Sequence, residues 1–195
     1  MKVLQLLLTF LLLFVTEVSA SPSSRLQCQS LDRSRSQIHF QAKSGVLDIS
    51  GQLTEYDGQI LFNRFSPTQA RVKLKANPSS ISLTETINQN PLLQGLLQTI
   101  QPLPVVFSSS SINQIGPQRL LVTGIVQRGQ QRSQIRFPVV ITDASELSTR
   151  VQGTIAGATL AAQQQGLPAN ISGELHFNLL FVTSPAETST VSCAR

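Results

Sequence analysis

Residues 36–42 read SQIHFQA, 46–53 VLDISGQL, 59–64 QILFNR and 69–76 QARVKLKA. In each segment apolar and polar residues alternate with a period of two. Successive side chains of a strand point to opposite faces of a sheet, so strict alternation predicts half-buried antiparallel strands. Tyr56-Asp57-Gly58 stands between the second and third segments, and Asp-Gly flanked by alternating runs predicts a hairpin turn there. The chain thus opens as a four-strand meander that later segments have to close.

The alternation resumes after a long connection. Pro104–Ile112 runs to a Gly116-Pro117 turn and Arg119–Gln127 to a turn around Arg128-Gly129, while Ser133–Asp143 sets Ile135, Phe137, Val139 and Ile141 in phase. Thr149–Ala158 leads into a Gln-rich loop, Ala161–Asn170. Ile171–Thr183 ends the series with Leu175, Phe177, Leu179 and Phe181 on one face. The period changes only in residues 77–101. There Asn90 can cap a helix, Pro91 suits its first position, and Leu92, Leu93, Leu96, Leu97 and Ile100 share one face. This short helix after the fourth strand reads either as a plug for one barrel end or as a lid at a portal. Eight or nine strands, one helix and no internal repeat predict an all-β fold. A lipocalin-like closed antiparallel barrel fits that count, because closure removes the exposed edges of a long sheet.

The termini set the compartment. Met1–Ala20 has Lys2, an apolar run from Leu4 to Val15, and the ending Val18-Ser19-Ala20. That is the layout of a signal peptide cut after Ala20, and the run is too short to span a bilayer of about 30 Å. Residues 21–34 read as an irregular N-terminal segment, 35–183 as the barrel domain, and 184–195 as a loose tail. Cys28 and Cys193 are the only cysteines. Two cysteines near opposite ends of an exported chain read as a disulfide, since barrel closure brings the ends together; two unpaired thiols are the alternative. The expected location is the periplasm or the extracellular medium, with no stable membrane insertion.

Composition excludes several classes. Net charge is +5 and charged residues are 13% of the chain. Arg71, Lys73 and Lys75 alternate with Val72 and Leu74, which places them on a solvated outer face. No basic cluster is interleaved with stacking aromatics, so no nucleic-acid partner is expected. The two histidines, His39 and His176, fall out of phase with their apolar neighbours and point outward. They are possible cross-strand neighbours, but no cysteine or carboxylate stands in register with them to make a metal site. Neither has the oriented nucleophile and carboxylate that a hydrolase triad needs. Asp48, Glu55 and Asp57 around the first hairpin read as solvated turn residues rather than a glycosidase pair. No enzyme, metal or cofactor is expected, and oligomeric state is not legible.

Several phrases resemble one family. They are Ser36-x-Ile38-x-Phe40, the ISGQL of residues 49–53, E-Y-x-G-x-I-x-F from Glu55 to Phe62, and Pro67–Ala76. The resemblance continues in Pro104–Ser108 and in Leu121-Val122-Thr123-Gly124, and it covers residues 31–183. Their order and spacing resemble the YceI-like proteins, which are secreted bacterial lipocalin-like barrels, some of them binding polyisoprenoids. The chain departs from that pattern around Glu85–Leu97, after Gly124, and at Gln163–Leu167.

An interior ligand site follows from the phase of the strands. Ile38 and Phe40 belong to the first strand, Ile49 to the second, Phe62 to the third, and Val72 and Leu74 to the fourth. Later strands add Phe107, then Phe137 and Val139, then Phe177 and Leu179. All should face inward. An eight-stranded barrel is just wide enough to be filled by side chains or to hold one small ligand, and the pattern alone does not separate the two. The resemblance implies a cavity that takes an amphiphilic apolar ligand such as an isoprenoid lipid or quinone tail, with Arg128 and Arg132 as rim candidates for a headgroup. Each buried five-carbon unit is worth up to about 4 kcal/mol at roughly 0.8 kcal/mol per methylene. The alternative is a packed envelope barrel that acts through its outer surface.

Overall fold

The computed structural model describes residues 26–44, 47–83, 103–145, 147–156, 175–186 and 193. Eleven strands run in chain order: β1 Gln27–Leu31, β2 Gln37–Ser44, β3 Leu47–Leu53, β4 Tyr56–Phe62, β5 Arg71–Ala76 and β6 Ile81–Leu83, followed by β7 Val105–Gly116, β8 Arg119–Arg128, β9 Gln131–Ala144, β10 Thr149–Ala156 and β11 Leu175–Pro185. Every pairing is antiparallel. Two 3-10 turns, Pro67–Gln69 and Pro78–Ser80, are the helical elements among the described residues.

Eight strands form the ring. Its order is β1-β4-β5-β7-β8-β9-β10-β11, and β11 returns to β1. The other three extend staves of that ring. β2 continues β1 and pairs β11 and β3, while β3 continues into β4 and pairs β6. The β3–β4 junction stays bonded across a corner, with Thr54 N–H donating to Ser80 O and Asn77 N–H to Glu55 O. The result is a closed, eight-stave, up-and-down barrel, as the alternation predicts. The proposed helix over Asn90–Gln98 and the signal peptide lie outside the described residues.

Three sequence expectations are corrected. Asp57-Gly58 is not a turn; both residues lie inside β4, opposite Lys75 and Leu74. The glycine is needed there for space, since a Cβ at Gly58 would come within 2.3 Å of Leu74 Cδ2. The segment 21–34 is not wholly irregular, because Gln27–Leu31 is a barrel strand. The last strand also runs two residues past Thr183, to Pro185.

Asp32–Ser36 joins β1 to β2. The Asp32 carboxylate accepts from the Ser34 hydroxyl at 2.6 Å, the Ser34 N–H at 3.0 Å and Arg35 Nε at 2.7 Å. The Ser34 hydroxyl first, and then Arg35, lower its pKa to about 2. Ser36, buried beyond the bend, both receives the Val182 N–H at its Oγ (2.9 Å) and donates to the Val182 carbonyl (3.2 Å). The bend is thereby stitched to β11 where the barrel closes.

Inside the barrel the two ends differ. Toward the end where β4 meets β5 and β9 meets β10, Ile60, Phe62, Ile112, Leu120, Val122, Val139 and Ile141 form a packed cluster. Phe40, Ile49 and Leu83 form a smaller cluster among β2, β3 and β6, with Phe177 against it. The outer face is polar: Arg71, Lys73 and Lys75 on β5 and Gln134 and Arg136 on β9 are all exposed. This inside-apolar, outside-polar arrangement is the reverse of a membrane-spanning barrel.

Candidate functional site: an apolar cavity in one half of the barrel

The end opposite the packed cluster is hollow. A cavity of about 310 Å³ lies between the later parts of β5 and β8 and the early parts of β7, β9 and β11. Its walls are Ile38 and Leu53 of β2 and β3, Val105 and Val126 of β7 and β8, and Ile135, Ile155 and Phe177 of β9, β10 and β11. Leu74, Phe107, Phe137, Leu179 and Phe181 lie at its inner end. The volume is at the lower end of the range for small-molecule pockets, which are mostly apolar with few polar groups.

The local sequence explains why space remains. Large side chains fold over inward-facing glycines on the next strand rather than toward the barrel axis. A Cβ at Gly124 would meet the Phe107 ring at 2.4 Å, and one at Gly51 would meet the Phe40 ring at 2.8 Å. The Phe107 and Phe137 rings are tilted against each other with centroids 5.7 Å apart. They leave the space above them open.

Polar groups are confined to the rim. Lys75, Arg128 and Asp57 border the cavity. Asp57 is already engaged by Arg33, whose Nε donates to Oδ1 at 3.0 Å and whose Nη2 makes a second, closer contact. That carboxylate raises the arginine pKa further. Both partners are more than half exposed, so the pair contributes little to stability. Tyr56 adds its ring to the wall, but its hydroxyl donates to the Ser36 carbonyl at 2.6 Å. Burial raises its pKa, so the phenol is a neutral donor.

The structure sorts the sequence-derived interior residues by depth. Ile38, Leu74, Phe107, Phe137, Phe177 and Leu179 border the cavity. Phe62, Val72 and Val139 belong to the packed half, and Phe40 and Ile49 to the smaller cluster. Arg128 is at the rim; Arg132 is exposed on β9 opposite Gln127 and is not among the bordering residues. Val126, Ile135, Ile155 and Tyr56 border the cavity without having been singled out. Ile135 shares the phase of Phe137, so the signal was present; what alternation lacks is a measure of height along the barrel.

The other expected groups stay outside. His39 lies opposite Asn178 and His176 opposite Gln41, so the histidines are offset rather than directly paired. Glu55 accepts from Asn77 Nδ2 at 2.7 Å, well occupied by turn geometry. A second, open concavity of about 430 Å³ lies on the outer face, bordered by His39, Arg119, Val140, Gln152, Thr154 and Asn178.

Neither a family model nor a curated protein matches the sequence. Solved structures do. BcnA of Burkholderia cenocepacia superposes with a TM-score of 0.61 at 17% identity, covering 78% of this chain and 98% of that one. A polyisoprenoid binding domain from Saccharophagus degradans, implicated in plant cell wall breakdown, gives 0.58 at 12% identity, over 83% and 99%. The Campylobacter jejuni YceI protein gives 0.52 at 13% identity, over 74% and 90%. The fold is that of the YceI proteins. In this YceI-like barrel the cavity is bordered by Ile81 of β6, Val105 of β7, Ile155 of β10 and Phe177 of β11.

Proposed function

We propose that this YceI-like barrel is a non-enzymatic carrier that holds the apolar tail of a small amphiphile, an isoprenoid lipid or quinone, in the half-barrel cavity. The observation that carries the reading is the cavity itself: about 310 Å³, walled by aliphatic and aromatic side chains, with charge only at the rim. One solved protein of the same fold is described as polyisoprenoid binding, which supports the choice of ligand. Arg128 would meet an anionic or polar headgroup. Two or three buried isoprenoid units supply about 8–12 kcal/mol, enough for micromolar binding after part of the association cost.

The carrier works outside the cytoplasm in this reading. Met1–Ala20 directs export, and the Cys28–Cys193 disulfide suits an oxidising compartment. The outer concavity favours a second reading, an envelope protein that acts through its surface with its interior unused.

Filling the cavity separates the two. Val126→Phe places a ring into existing space from a half-buried position, so it should leave the melting temperature unchanged or raise it while weakening farnesol binding at least tenfold. Calorimetric titration and thermal melts of the same preparation check this. Unchanged binding in a folded variant would move the site out of the barrel.

A further inference from the structure

Five side chains divide the barrel interior. Leu74, Phe107, Phe137, Leu179 and Phe181 border the large cavity and also a separate void of about 60 Å³ deeper in the barrel. Beyond that void Ile112, Leu120 and Val122 are packed, with 4–7% of their surface exposed. The partition is held from behind. The Phe107 ring lies against Gly124, where even a methyl group would overlap it, so the strand behind blocks retreat of the ring. Phe137, on β9 at the other flank of β8, packs against that ring with centroids 5.7 Å apart.

Resting on the carrier reading above, we infer that this floor limits the buried part of a tail to about two or three isoprenoid units, so that longer tails gain nothing further, with Phe107 and Phe137 as the residues that set that length. A cavity of about 150 Å³ lined by Leu, Ile and Phe accommodates benzene, so by proportion 310 Å³ accommodates about a dozen carbons. A tail of eight units has about forty carbons. Below the floor the described interior offers only the 60 Å³ void, so the excess finds no apolar wall in the packed half. The length limit is thus a property of two rings rather than of the fold, whose staves continue past them.

The test is a series of linear prenyl alcohols of one, two, three, four and eight units, titrated into the disulfide-bonded mature protein. Affinity should rise at least tenfold from one unit to three and then change less than threefold up to eight. In Phe137→Ala the plateau should move, with the four-unit alcohol binding at least fivefold tighter than the three-unit one. Phe137→Leu, a milder change, should shift the same ratio in the same direction if the alanine variant does not fold. Affinity that climbs tenfold or more between three and eight units in the unaltered protein would overturn the length limit while leaving the carrier reading intact. An unchanged length preference in a folded Phe137 variant would overturn the role of that ring. If no alcohol of any length binds, the carrier reading falls and the length limit with it.

Discussion

Replacing Cys28 and Cys193 together by serine should lower the unfolding free energy by up to about 5 kcal/mol, the chain-entropy value for so long a loop. The bond spans 165 residues of sequence, with Cα atoms 5.9 Å apart. It sits at the weakest ladder of the ring. β1 and β11 share three residue pairs, Gln29–Pro185, Ser30–Ser184 and Leu31–Thr183, whereas β7 and β8 pair over most of their length. Beside the disulfide, Ala186 N–H donates to the Cys28 carbonyl at 3.2 Å. At about 2–4 °C per kcal/mol for a chain of this size, the melting temperature should fall by roughly 10–20 °C. Addition of reductant to the unaltered protein should reproduce most of that fall. A loss under about 1 kcal/mol would mean that the hydrogen bonds of the seam close the barrel without covalent help.

The second large effect should come from one buried hydroxyl at the same seam. Thr183 is 0% exposed, and its Oγ1 accepts the Thr149 N–H at 2.9 Å. Its single proton goes to Gln29 Oε1 at 2.6 Å rather than to the Thr149 carbonyl at 3.3 Å. Thr183→Val keeps the shape but strands a buried N–H and removes a donor from a buried glutamine. At about 1–3 kcal/mol for a buried group left unsatisfied, the stranded N–H sets an expected loss of about 1–3 kcal/mol. Thr149→Val is the contrast. Thr149 Oγ1 is buried without a hydrogen-bond partner among the described residues, so its removal should be neutral or stabilising by up to about 1 kcal/mol. Urea unfolding of both variants checks the pair. Equal effects would show that the two hydroxyls are not distinguished by their partners.

This seam also shows where sequence patterning stops being informative. Alternation located the staves from Ser36 onward because inward positions there are apolar. In Gln27–Leu31 the most buried residue is Gln29, a glutamine satisfied by Thr183, so the strand carries no hydrophobic signal. Asp57-Gly58 misleads for a related reason. Glycine there provides room for Leu74 to cross the strand, and composition does not distinguish that need from a turn's need for positive φ. At Gly129, where φ is +56°, the turn reading of Arg128-Gly129 coincides with the backbone.

The candidate cavity is legible in phase but not in depth. Phe107, Phe137 and Leu179 face inward as alternation requires, yet so do Phe62 and Val139, which fill the opposite half. A void arises from how rings tilt over Gly51 and Gly124 on neighbouring strands, and that pairing depends on register between distant segments. No local window of sequence contains it.

Native mass spectrometry of the mature protein, purified without detergent from its own cell envelope, tests the central claim most directly. The account predicts the protein mass plus one apolar molecule, lost on denaturation, with a tail of at least about ten carbons, of which 310 Å³ can enclose about a dozen. A bare mass that stays bare after addition of prenyl alcohols and short-tailed quinones would contradict it, and would leave the outer surface as the place where this barrel acts.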